Sequence, residues 1–68
     1  MTNYELKQIR HSMRLTQHEF AQLLGIGSMT ISRWERGVRR IPDSKIKLIN
    51  YKYDDYISKW QNPGELFK

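Results

Sequence analysis

Ser28 and Ser32, and likewise Met29 and Arg33, stand four residues apart along a short stretch of this chain, with Met29 three before Ser32. On a helix those intervals gather side chains onto one face. The chemistry such a face offers is recognition rather than bond-breaking. The guanidinium of Arg33 can donate two parallel hydrogen bonds to O6 and N7 of guanine. The Met29 thioether can lie against a thymine methyl, and the hydroxyls of Ser28 and Ser32 can bond to base edges or phosphates. Arg36, Arg39 and Arg40 follow closely, and Glu35 is the sole acidic residue between positions 28 and 40. A local cluster of cations suits a polyanion, because neutralising phosphates supplies much of the affinity for nucleic acid.

Other chemistries find little support. Ser12, Ser28, Ser32, Ser44 and Ser58 lack the flanking glycines of a nucleophile elbow. His11 and His18 stand seven residues apart across a helix break, with no companion cysteine or carboxylate at ligand spacing. There is no cysteine, which excludes disulfides and thiolate metal sites. Trp34 near the arginines invites a base-stacking reading, but its three-residue spacing from Ile31 assigns it to a core. No enzyme, cofactor or metal is expected.

Those recognition residues need a rigid support, and the rest of the chain predicts one. At 68 residues with a formal charge of +5, the sequence reads as a single domain over residues 1–68. No stretch approaches the ~18 apolar residues of a membrane span; a cytoplasmic protein that binds no membrane is the expectation. Thr2 and Asn3 are candidate caps of a first helix over 3–13, whose Leu6, Ile9 and Met13 face inward. Thr16 and Glu19 have capping-box spacing, and Leu15 and Phe20 the spacing of a hydrophobic staple, for a second helix over 17–24. Gly25 terminates that helix, Ile26 plugs the turn, and Gly27 or Ser28 caps a third helix that Gly37 ends. Arg39, Arg40, Ile41 and Pro42 form an extended basic loop. A last helix over about 43–61 carries Ile46, Ile49, Tyr53, Tyr56 and Trp60 as one apolar stripe, stopped by Asn62-Pro63-Gly64 ahead of Leu66-Phe67-Lys68. The fold class is all-α: a small helix-turn-helix domain of about four helices, with the helix-turn-helix unit at 16–37.

Leu6, Arg10, Leu15-Thr16-Gln17, Phe20-Ala21, Leu24-Gly25-Ile26, Ile31-Ser32-Arg33-Trp34-Glu35 and Gly37 together resemble the lambdoid-phage repressor and Cro family, also called the xenobiotic-response-element family. The resemblance runs from Leu6 to Pro42. It implies that Ser28, Met29, Ser32 and Arg33 read bases. It further implies that Arg10, Gln17, Thr30, Arg36, Arg39 and Arg40 contact phosphates, and that Arg10 and Glu35 form an ion pair between the first and third helices. Gly27 stands where the family often has a Ser or Thr cap. One long helix replaces the pair of shorter helices the family often has after Pro42.

The first half of that long helix is expected to close the core. The second half, through Tyr53, Tyr56, Ile57 and Trp60, is expected to form a dimer seam, because so small a core leaves little to cover it. The resulting expectation is a homodimeric transcriptional regulator, a repressor binding double-stranded DNA at an inverted-repeat operator, autoregulatory in the manner of a phage repressor or an anti-CRISPR-operon regulator. The alternative is an antitoxin-type protein that binds a protein partner through its last helix and tail as well as DNA.

Overall fold

In the computed structural model the described residues are 1–60, Trp60 by its backbone alone; expectations placed on residues 61–68 and on the Trp60 side chain lie outside them. Four helices follow in order: α1 (Asn3–Ser12), α2 (Gln17–Leu24), α3 (Ser28–Glu35) and α4 (Asp43–Trp60). The architecture is all-α, and α4 is the longest element. Among the described residues no helix is long and apolar enough to cross a membrane.

The starts of α1 and α2 are dictated locally. Thr2 Oγ1 accepts from the amide of Glu5 while Glu5 Oε1 accepts from the amide of Thr2. Thr16 and Glu19 repeat this reciprocal pair. Each box satisfies two amides that a helix start otherwise leaves without an acceptor. Of the two candidate caps for α1, Thr2 serves. The cap of α3 is Gly27, which has no side chain to accept an amide.

The ends of the first three helices share one device. After α2, the Ile26 amide donates to the Ala21 carbonyl and the Gly25 amide to that of Gln22, with Gly25 at φ +70°. After α3, Val38 donates to Arg33 and Gly37 to Trp34, with Gly37 at φ +73°. Both are the paired closures that require a left-handed residue. After α1, Leu15 donates to Arg10 and Arg14 to His11 in the same pattern, but the left-handed residue is Arg14, at φ +58°. No glycine marks that turn.

Leu6, Met13, Phe20, Ala21, Leu24, Ile31, Trp34, Ile41 and Ile49 form the buried core, and Trp34 is in it as its spacing with Ile31 requires. The helix α3 packs most closely on α2 and next on α1. Ile41, read as part of an extended loop, is buried and pins the α3–α4 connection. Ile9, Leu15, Ile26 and Ile46 are only partly covered at its margin.

Tyr53 and Tyr56 also pack against this core and remain half-buried, so the later stripe of α4 is shared between the domain's own interior and its surface. The expectation that this stripe lacks a core to cover it is therefore narrowed. Ile57, also half-buried, stands outside the core cluster.

Candidate nucleic-acid interface

At about 100° per residue, Ser28, Ser32, Arg36, Met29 and Arg33 occupy a contiguous arc of roughly 140° on the α3 axis. Ile31, Trp34 and Glu35 occupy the opposing arc and are buried. This division makes α3 a two-sided element: one face is locked into the domain, the other points out. Met29 is 59% exposed, an unusual placement for a thioether. Arg33 and Arg36 are exposed, while Ser28, Ser32 and Thr30 are half-buried. Thr30 lies at the edge between the arcs.

The inner face is held by charge as well as by packing. Arg10 Nε donates to Glu35 Oε2 at 2.6 Å and Arg10 Nη2 to Oε1 at 3.0 Å, a two-pronged pair. Arg10 and Glu35 are each only 8% exposed. Gln17 Nε2 donates to Glu35 Oε1 at 3.2 Å, and Arg10 Nη1 donates to the Leu15 carbonyl at 2.9 Å. The Glu35 carboxylate on α3 thus ties together α1 and the first residue of α2, while Arg10 itself fastens the α1–α2 turn. Burial alone would raise the pKa of Glu35. The hydrogen bonds from Arg10 and Gln17, with the charges of Arg10 and Lys7, outweigh it and hold the carboxyl below its usual value.

This network bears on two residues assigned to phosphates. Arg10 Nη2 also donates to His11 Nε2 at 3.2 Å, so every nitrogen of the guanidinium is engaged inside the domain. A phosphate contact by Arg10 would have to break that set, and its geometry is that of the ion pair. Gln17, half-buried, spends its amide on Glu35, but its backbone stands in the first turn of α2, at the positive end of the helix.

Arg36, Arg39 and Arg40 lie exposed at and beyond the end of α3. Arg36 Nε donates back to the Ser32 carbonyl at 3.4 Å. With Arg33 they extend the cationic surface from the outward face of α3 into the loop before α4. Close phosphate contact rewards such a row, since each neutralised phosphate releases a counterion.

Asn3 was missed by sequence reasoning, which saw it only as a cap. Its Nδ2 donates to the Glu35 carbonyl at 3.2 Å, and its amide group packs beside Gly37, where an added Cβ would sit 3.4 Å from it. It fastens the C-terminal end of α3 to the start of α1. Among the described residues no group of His, Cys, Asp and Glu is placed to hold a metal ion.

Comparison with known proteins matches residues 6–50 to the helix-turn-helix family. The antitoxin PezA of Streptococcus pneumoniae serotype 4 is 34% identical over 71 residues, covering 96% of this chain and 45% of that protein. The chain therefore spans less than half the length of the curated relative it matches. No solved structure matches it. The family match is to helix-turn-helix domains in general, and the named relative is an antitoxin rather than a phage repressor.

Proposed function

The chain belongs to the helix-turn-helix family, and from that premise we propose that it is a duplex-DNA-binding transcriptional regulator of the antitoxin type. In this reading α3 enters the major groove. Ser28, Met29, Ser32 and Arg33 read base edges there, and Gln17, Thr30, Arg36, Arg39 and Arg40 contact the backbone. The observation that carries the reading is the division of α3: an outward arc with a 59% exposed methionine and two arginines, backed by an inner arc fastened through Glu35. A free helix would lose entropy on entering the groove; this one is already held. Arg10 is assigned to the ion pair alone.

The likeness to an antitoxin favours a second contact, with a protein partner, over a repressor acting alone. The exposed length of α4 offers the surface for it. A stand-alone homodimeric repressor of the phage type remains the second reading, favoured by the half-covered Tyr53 and Ile57, which a second copy of the chain would cover. Two-fold symmetry would then set recognition helices on half-sites about 34 Å apart.

A protection footprint on the DNA upstream of the chain's own gene tests the DNA reading. Two protected half-sites related by inverted repeat are expected; protection indifferent to sequence would overturn it. Co-purification of the product of a neighbouring gene in fixed ratio supports the antitoxin reading, and a clean homodimer with no such companion supports the stand-alone one.

A further inference from the structure

Asn3, Lys7 and Arg10 are spaced at i, i+4 and i+7 on α1, which places them within an arc of about 60°. The outer two are both bonded to one residue of α3: Asn3 to the Glu35 carbonyl, Arg10 to the Glu35 carboxylate. Lys7, between them, is held beside the same stretch of α3, yet it is exposed. Its ammonium makes no hydrogen bond or ion pair among the described residues. Its charge nonetheless reaches the Glu35 carboxylate and helps to hold that group below its usual pKa. The other lysines among the described residues all stand on α4.

Glu35 marks which flank of α3 this part of α1 meets. On the α3 axis it stands about 20° from Ser28 and about 60° from Ser32, at the border of the outward arc. Gln17, at the start of α2, bonds the same carboxylate. Lys7 and the first turn of α2 thus border the outward arc on one side, and Arg36 follows Glu35 directly. A helix lying in the major groove has a sugar-phosphate strand along each flank. We propose that Lys7 supplies the contact of α1 with that strand, its ammonium taking a phosphate oxygen beside the one met by the start of α2. The assignment rests on the DNA-binding reading above and deepens it. Arg10, committed to Glu35, holds the helices together, and Lys7, one turn earlier, meets the backbone. An unpaired ammonium on a flexible stem suits a phosphate better than a base edge, since it acts as a point charge with no planar fork to match to a base.

Duplex affinity of the native chain, Lys7→Gln and Lys7→Arg is to be measured across a salt series. The duplexes are the fragment upstream of the chain's own gene and a shuffled fragment. Lys7→Gln should weaken both about fivefold near 0.15 M salt, flatten the slope of log affinity against log salt by about one, and keep the ratio between the two duplexes. Lys7→Arg should restore the slope. In the native chain an amine-acylating reagent should modify Lys7 severalfold more slowly once duplex is bound. Lys59, exposed near the far end of α4, should keep its rate. A native chain that binds duplex while Lys7→Gln keeps the native slope, or while Lys7 stays as reactive as before, overturns this contact and leaves the DNA reading standing. A lower urea midpoint for Lys7→Gln at neutral pH with the slope unmoved would make Lys7 a support of Glu35 only, and overturns it likewise. A native chain that binds no duplex overturns both.

Discussion

Three donor atoms converge on the Glu35 carboxylate, two from Arg10 and one from Gln17, at a point nearly closed to solvent. Removing one member of such a buried pair leaves the other charged and unpartnered, at a cost of about 3–5 kcal/mol. A domain of this size has a total stability of only about 3–10 kcal/mol. Arg10→Ala or Glu35→Ala should therefore leave the protein largely unfolded at 37 °C by circular dichroism, whereas Arg10→Met combined with Glu35→Leu should remain folded. The pH dependence has a fixed sign. Because the folded-state pKa of Glu35 is lowered from 4.5, its stabilisation is complete above that value and is lost as pH falls through the lower folded value. Glu5 and Glu19, lowered first by the backbone amides of their capping boxes, act in the same direction. Urea midpoints of the native chain and Glu35→Gln should differ most above pH 4.5 and converge in acid. A gap that is constant across that range would dissociate Glu35 from the acid limb. The pairing of Arg10 with Glu35 was legible through the family's pattern. The bonds of Gln17 and Asn3 to Glu35 were not, because each joins residues distant in sequence and one of them ends on a backbone carbonyl.

At the scale of elements, the helix starts were readable and one helix end was not. A capping box is a four-residue pattern: the one at α2 stands where Thr16-Glu19 placed it, and Thr2, a candidate cap of α1, closes a second with Glu5. Gly25 and Gly37 likewise announced their turns, since glycine enters the left-handed region without strain. Arg14 makes the same turn with a Cβ and leaves no mark in the sequence. Arg14→Gly should consequently raise stability by about 0.5–1 kcal/mol, and Gly25→Ala should lower it by about 1 kcal/mol or more. Nothing lies within 4 Å of a Cβ added at Gly25, so the whole of that loss would come from the backbone angle. Chemical unfolding of the two variants beside the native chain checks both; a stabilising Gly25→Ala would contradict the left-handed closure. Ile41 and the Tyr53–Tyr56 stretch escaped for another reason. Periodicity identifies an apolar face but not what covers it, and the domain's own core reaches further along α4 than chain length alone implied.

At the scale of the whole molecule, shape and charge divide the labour. The cationic outer face of α3 and its following loop share no residue with the half-covered face of α4 that bears Tyr53 and Ile57, so DNA contact and a contact through α4 need not compete. Arg39→Ala with Arg40→Ala should weaken binding to all duplexes alike and flatten the dependence of log affinity on log salt by about two. An unchanged slope would remove both residues from the backbone contacts. Ile57→Asp, on the half-covered face and outside the core cluster, should convert a homodimer to monomer by sedimentation without unfolding it. If the dimer persisted, the self-association surface would lie elsewhere.

The central claim is that the outward face of α3 reads sequence, and Arg33 tests it most directly. Affinities of the native chain and Arg33→Ala should be measured at one salt concentration. The two duplexes are the promoter fragment upstream of its gene and a shuffled fragment of equal length. The native chain should prefer the promoter by about 10³-fold or more. Arg33→Ala should lose about 1–3 kcal/mol of that preference while binding the shuffled duplex nearly as before. An equal fall on both duplexes would make Arg33 a backbone contact and contradict the claim.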